Sequence, residues 1–358
     1  MKVKILVINP GSTSTKIALY QSRELLFDKN ITHTAEQLSV FDSVIEQFDF
    51  RKELVMSAVK SWGIPLSDIK VVVGRGGLVK PIKSGVYEVN DALQHDLTCG
   101  INGSHASNLG GLIAKYIAEL IGTGVSAYIA DPVVVDEMTD IAHISGHPLL
   151  QRKSIFHALN QKAVARSYAE KIDKHYNELN LIVAHLGGGV SVGAHNKGVV
   201  VDVNNALSGD GAFSPERCGS VAAADLIDLA YCGKHSYKEL KQMIIGSGGF
   251  VAHLQTSNVK EVVDRALGGE PKAKLIVDAF AYGVAKEIGA MAAVLCGNVD
   301  AIILTGGIAY SKYICSEIEK YVKYITVVEV YPGEDEMYAL ATNGLMAYKG
   351  ETEIKVYC

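Results

Sequence analysis

The amino-acid sequence predicts an α/β protein of two lobes built on one plan, and three observations carry that expectation. Apolar runs short enough for buried strands alternate with stretches of helical periodicity. Residues 4–19 and 181–193 each read as an apolar strand, a tight polar or glycine turn, and a second strand. Two further strands, Val71-Val72-Val73 and Ile302-Ile303-Leu304, each run into a Gly-Gly turn, at Gly76-Gly77 and Gly306-Gly307. The same order in both halves (hairpin, helix, strand with a Gly-Gly turn, helix) implies duplication. Two such lobes enclose a cleft, the default place for a ligand.

The β-rich opening ends near Ile31-Thr32-His33. Residues 37–63 then read as a helix, with Val40, Val44, Phe48, Val55 and Val59 on one stripe. Residues 69–73 are a buried strand ending at Gly74-Arg75-Gly76-Gly77. A helix over 105–120 and a strand over 125–129, ending at Asp131-Pro132, complete the first half. In the second half, 181–201 form a hairpin-rich start, and 225–229 and 237–244 lie in helical segments. A long helix spans 273–296, a strand 301–304, and a last helix 337–348. Polar residues at the carboxyl ends of such strands are where α/β sheets place ligands. No linker-like segment interrupts the chain, so the lobes are expected to meet near residue 150.

The 358 residues, 48% of them hydrophobic, suffice for two ordinary cores. A formal net charge of −5 gives no nucleic-acid footprint. Gly or charge breaks every apolar run well short of a membrane span. The start, Met1-Lys2-Val3-Lys4-Ile5, is basic then apolar, but Asn9, Pro10 and a hydroxyl cluster end the run early, so it reads as a strand rather than a signal peptide. Cys99, Cys218, Cys232, Cys296, Cys315 and Cys358 have no CxxC spacing, which points to reduced thiols in a cytoplasmic protein.

Turns of the 11–15 and 187–189 kind expose backbone N–H groups in a concave array that suits phosphate oxygens. No GxxxxGK[ST] is present, so the chain is not a P-loop kinase. The strand lysine and His-Arg-Asp set of protein kinases are absent. His185-Leu186-Gly187-Gly188-Gly189 imitates an esterase oxyanion loop, but no GxSxG nucleophile elbow accompanies it. The motifs that remain are Asn9-Pro10-Gly11-Ser12-Thr13-Ser14-Thr15-Lys16, Gly74-Arg75-Gly76-Gly77, Ser154-Ile155-Phe156-His157-Ala158-Leu159-Asn160, His185 to Gly189, Pro215-Glu216-Arg217-Cys218-Gly219, and Leu304-Thr305-Gly306-Gly307-Ile308. Together they resemble the acetate and propionate kinase family of the actin-like superfamily, over essentially the whole chain, and within it the butyrate kinase branch.

That resemblance implies two actin-like, ribonuclease H-like lobes around a nucleotide cleft. One is residues 1–150 joined by the C-terminal helix 337–358; the other, 151–336, binds nucleotide and dimerises. It implies reversible phosphorylation of a short-chain carboxylate by Mg-ATP, giving an acyl phosphate and ADP. A carboxylate needs no general base, so catalysis must come from positioning, charge neutralisation and Mg²⁺. By the resemblance, Arg75 binds the carboxylate, Arg217 the phosphoryl oxygens in flight, and His157 donates to the same group. The planar fork of arginine suits both anions. His105 corresponds to a second histidine near the substrate. Asn9, Asp131 and Glu336 match the Mg²⁺-associated positions, with Glu334 as the alternative to Glu336. Ser12, His185, Gly187, Gly188, Gly189, Asp210, Thr305, Gly306, Gly307 and Ile308 match nucleotide-binding positions, the glycine turn toward the phosphates and 305–308 toward the adenosine. A homodimer or larger even homo-oligomer is implied too.

The chain departs from acetate kinases at Gly76 and Gly77, where those enzymes typically carry two valines. Two missing branched side chains are expected to leave room for a four-carbon or branched acid, each buried methylene contributing about 0.8 kcal/mol. Acetate or propionate specificity is the first alternative. An actin-like phosphatase with Glu216 as its base, or a non-catalytic ATP-binding scaffold, are the others.

Overall fold

The computed structural model describes residues 2–358, which divide into two compact units, 2–135 with Asp335–Cys358, and Asp136–Glu334. In the first unit the strands are β1 (Lys4–Pro10), β2 (Ser14–Gln21), β3 (Glu24–Thr32), β4 (Ile69–Arg75), β5 (Val86–Glu88) and β6 (Ser126–Ala130). They form one sheet with the short C-terminal strand Ile354–Lys355, in the order C-terminal strand, β5, β6, β4, β1, β2, β3. In the second unit β7 (Asn180–Leu186), β8 (Val190–Asn196), β9 (Val199–Val203), β10 (Ala301–Gly306) and β11 (Val328–Pro332) form a sheet ordered β11, β10, β7, β8, β9.

The two sheets share one topology. β1, β2 and β3 form an antiparallel meander, β4 joins β1 in parallel, and β6 joins β4 in parallel. β7, β8 and β9 form the same meander, β10 joins β7 in parallel, and β11 joins β10 in parallel. This is the duplication the two Gly-Gly strand ends imply. The first sheet adds β5 and the C-terminal strand at its far edge.

Central strands buried on both faces read as continuous apolar runs, and β7 is buried at all seven positions. In the first unit, glycine permits unusually close layers. A Cβ on Gly74 would lie 2.1 Å from the Gly110 carbonyl oxygen, which brings the helix Asn108–Ile121 onto β4. Gly344 does the same for the C-terminal helix Glu336–Lys349 against Val73, Val71 and Ile5. In the second unit the 24-residue helix Pro271–Val294 supplies Phe280, Val284 and Ile288 to the core.

Two expectations need correction. The first unit closes at Val135, not at residue 150. Residues after it belong to the second unit: the Thr139 N–H donates to the Val201 carbonyl, and Arg152 bonds the Ala142 carbonyl and Asp202. The helix over 37–63 is broken. A single turn, Ala35–Leu38, precedes the helix Phe48–Ser61, and Val40 is exposed. Between them Glu46 accepts from the Asp42 N–H and the Ser43 hydroxyl, local bonds that compete with the helical ladder.

Candidate active site

In the first unit the end of β1 and the end of β4 lie side by side, Ile8 opposite Gly74. Asn9 and Arg75 follow directly, and the C-terminal helix brings Glu336 to both. Arg75 donates to the Glu336 carboxylate through both terminal nitrogens, at 3.0 Å each. Asn9 donates to Glu336 at 2.8 Å and accepts from Arg75 at 3.2 Å. The three residues form one closed polar triangle, with Glu336 13% and Arg75 24% exposed. Asp131 does not share these bonds. It sits at the end of β6 with a left-handed backbone (φ 40°), accepting from the Ser84 hydroxyl at 2.6 Å and the Gly85 N–H at 2.9 Å.

Gly76 and Gly77 hold a different place from the one expected of them. A Cβ on Gly76 would lie 2.6 Å from the Pro132 Cβ, and one on Gly77 would lie 2.3 Å from Asn108 Oδ1 and 2.6 Å from its Cα. The volume that two valines would take is filled by Pro132 and Asn108. These glycines serve close packing and open no room for longer acyl chains. Asn108, absent from the sequence reading, is 3% exposed and joins two loops. It accepts from the Leu78 N–H at 2.9 Å and donates to the Gly103 carbonyl at 3.0 Å. His105, exposed in the adjoining loop, bonds Ser107 through Nδ1.

In the second unit, strand register builds the centre. Ser191 on β8, His185 on β7 and Thr305 on β10 are cross-strand neighbours, all essentially buried. His157 precedes the helix Ala158–Lys171, and its ring stacks on that of His185 with centroids 3.6 Å apart and planes 6° apart. Its Nδ1 lies 2.9 Å from the Ser191 hydroxyl, which also accepts from Gln161 at 2.8 Å. His185 Nε2 lies 3.2 Å from Glu334. Thr305 donates toward Asn160 and the Gly333 carbonyl. Ser191, Gln161 and Glu334 thus belong to the centre; Glu334 was expected only as an alternative metal-site acid, Ser191 lies two residues past the glycine turn, and Gln161 carried no sequence signal.

The turn 187–189 is closed by the Gly187 N–H on the Gly189 carbonyl. Arg217 lies directly against it: a Cβ on Gly189 would overlap its guanidinium. Arg217 also donates to the Ala206 carbonyl, and Ser214 to the Gly188 carbonyl. Burial pushes the Arg217 pKa down, offset by the neighbouring Glu216. Burial likewise raises the Cys218 thiol, which keeps it protonated and unreactive. Asp210 is spent within its own loop, accepting from the Asn205 N–H at 2.9 Å.

Two cavities meet along Val259, Gly307 and Ile308. One, of about 420 Å³, is lined by Gly187, Gly188, Glu216, Asn258 and Glu334. The other, of about 400 Å³, is lined by Val263, Leu267, Tyr310 and Tyr313. The first presents polar groups and bare backbone; the second combines apolar and aromatic walls with Lys260, Asp264 and Lys312. The structure therefore gathers His157, His185, Arg217 and the 187–189 turn at one place, and Asn9, Arg75 and Glu336 at another.

The sequence pattern of the acetokinase family matches residues 144–339. Butyrate kinase 2 of Clostridium acetobutylicum is 53% identical over 357 residues, covering 100% of both chains. Butyrate kinase 1 of the same organism is 52% identical over 99% of both. The crystal structure of Porphyromonas gingivalis acetate kinase superposes with a TM-score of 0.73 at 20% identity, covering 96% of this chain and 99% of that one.

Proposed function

Since the chain belongs to the acetokinase family, we propose that it phosphorylates butyrate, or a branched acid of four to five carbons, reversibly and by direct in-line transfer. It is a carboxylate kinase that uses ATP and forms an acyl phosphate and ADP. The choice of acid rests on full-length similarity to butyrate kinases, at about half the residues identical. The packing at Gly76 and Gly77 lends it no support.

The geometric observation that carries the catalytic reading is Arg217 lying on the 187–189 turn. Phosphates laid on the bare Gly188 backbone meet that guanidinium, and the adjoining cavity with Ile308 and Tyr310 suits the base and ribose. A carboxylate oxygen attacks the γ-phosphorus and the bond to the β,γ-bridging oxygen breaks; no proton moves. What the protein supplies is charge and alignment. Arg217 neutralises the equatorial oxygens. His157, fixed by Ser191 and by stacking on His185, donates to them. Arg75, held in plane by Glu336 and Asn9, takes the substrate carboxylate through the donors those bonds leave, Nε and the second N–H of Nη2.

Magnesium fits the donor set of Asn9 and Glu336, which is all hard oxygen. Both are engaged with Arg75, and no group of three acidic, His or Cys side chains converges among the described residues. These residues would therefore hold the ion through its waters, with phosphate oxygens as the direct ligands. When bound, Mg²⁺ neutralises charge on the β- and γ-phosphates.

We place the enzyme in the cytoplasm as a homodimer or larger even assembly. No helix among the described residues is long and apolar enough to cross a membrane. The second unit exposes Val221, Ile227, Tyr231 and Tyr237 on or beside two short helices that bury nothing of their own. The test is Mg-ATP with a panel of acids from acetate to valerate, trapping acyl phosphate with hydroxylamine. Butyrate and isobutyrate should give the highest kcat/KM. A preference for acetate would overturn the specificity, and phosphate release without acyl phosphate would overturn the reaction.

A further inference from the structure

Arg51 is 0% exposed in the first turn of the helix Phe48–Ser61. Two things make that place unfavourable. A cation there opposes the helix dipole, and among the described residues no carboxylate pairs with it: the polar partners found there are all neutral. Burial accordingly pushes the pKa of its guanidinium downward, with no charge partner to offset the shift. An uncompensated buried charge is rare enough to require a reason.

The partners supply one. Nη1 donates to the Gly11 carbonyl at 2.8 Å, the Ser14 carbonyl at 3.1 Å and the Thr15 hydroxyl at 3.1 Å. Nη2 donates to the Ser12 carbonyl at 3.2 Å, and Nε to the Gln47 side chain at 3.0 Å. The Thr13 carbonyl is taken by the His33 N–H at 2.8 Å. All four carbonyls from Gly11 to Ser14 are thereby drawn to protein donors. Ser12 and Thr13 are exposed, and neither their N–H groups nor their hydroxyls bond within the protein among the described residues. The turn presents donors outward and acceptors inward. Gly11 to Thr13 join β1 to β2, as Gly187 to Gly189 join β7 to β8.

We propose that Arg51 is the positioning residue of the 11–15 turn: it gathers the carbonyls of Gly11, Ser12 and Ser14 beneath it, so that the Ser12 and Thr13 donors face outward to take a phosphoryl oxygen. Its own charge, screened by no carboxylate, adds to the field at that face. The occupant is a phosphoryl group of ATP or the acyl phosphate, and the assignment rests on the carboxylate kinase reading given above. Arg51 itself touches no substrate.

The test uses the full chain with Arg51→Met, Arg51→Lys, Gln47→Met and Thr15→Val. Steady-state kinetics are read in both directions, and amide exchange of residues 11–15 is followed with and without Mg-ATP. In the wild type, Mg-ATP should slow exchange over this segment. Arg51→Met should abolish that protection and lower kcat/KM about 10- to 100-fold. Arg51→Lys should recover part of both, since it keeps the charge but not the fork. Should Arg51→Met fail to fold, the Gln47→Met and Thr15→Val proteins decide, each expected to lose protection and activity partially and together. Variants with lowered thermal stability but wild-type kcat, KM and Mg-ATP protection would overturn the proposal, for Arg51 would then serve the fold alone. A wild type without acyl phosphate formation, yet with Arg51-dependent protection by Mg-ATP, would sink the kinase reading and leave this one standing.

Discussion

Gly77→Ala separates two accounts of the Gly76-Gly77 turn. If glycine there leaves space for a longer acid, one methyl group should reduce that space and leave stability alone. The structure says otherwise. The new Cβ would stand 2.6 Å from Asn108 Cα, about 0.8 Å inside ordinary contact, and 2.3 Å from Asn108 Oδ1. A main-chain atom at the head of the helix Asn108–Ile121 cannot swing aside, so the turn or the helix must shift. Overpacking of this kind costs about 1–3 kcal/mol. The displaced Asn108 also abandons the Leu78 N–H it accepts from, and an unpaired buried donor adds about 1–3 kcal/mol. The total is about 2–6 kcal/mol, which lowers Tm by roughly 4–24 °C for a unit of this size. Differential scanning calorimetry on the purified variant measures it, beside kcat/KM for acetate, butyrate and valerate. An unchanged Tm together with a switch in preference toward acetate would refute the packing argument and restore the account in which the glycines make room for substrate.

Three further outcomes follow from particular contacts. Gly188→Val should fold normally, because a Cβ there meets nothing nearer than Glu216 at 3.9 Å, yet it fills the polar cavity; isothermal titration should show ATP binding weakened about tenfold or more, and unchanged affinity would move the phosphates elsewhere. Arg217→Ala should lower kcat by about 10³-fold with a much smaller effect on ATP affinity, and a near-wild-type kcat would remove Arg217 from the transfer step. His33 is held neutral, its pKa lowered to about 4 by burial and then by the Arg51 charge, from an ordinary 6.5. Between those values the unfolded chain binds a proton that the folded one refuses, so stability is complete above about pH 6.5 and falls as pH drops toward 4, by up to about 3 kcal/mol. Chemical denaturation at pH 7 and pH 4.5, wild type against His33→Phe, reads this; an equal acid loss in both would assign it to other groups, of which buried His195, also depressed, is one.

The duplicated plan was legible in the amino-acid order alone. Strands buried on both faces appear as apolar runs, and turns that face a ligand appear as glycine and hydroxyl clusters, so β1, β4, β7 and β10 and the turns after them were readable from local composition. Arg217 and His157 were readable only through the resemblance of the motifs that hold them to the acetate and propionate kinase family. Only the tertiary structure decided what depends on residues distant in the chain. It set Glu336 beside Asn9 and Arg75, and Glu334 beside His185, although one residue separates the two acids. It filled the space beside Gly76 and Gly77 with Pro132 and Asn108, where local sequence shows only an absence of side chains. It also turned Arg51, an arginine in an ordinary helical stretch, into the buried floor of a turn 40 residues away. A side chain's type is local, but its charge partner, its burial and the void it fills are set by which surfaces the fold brings together.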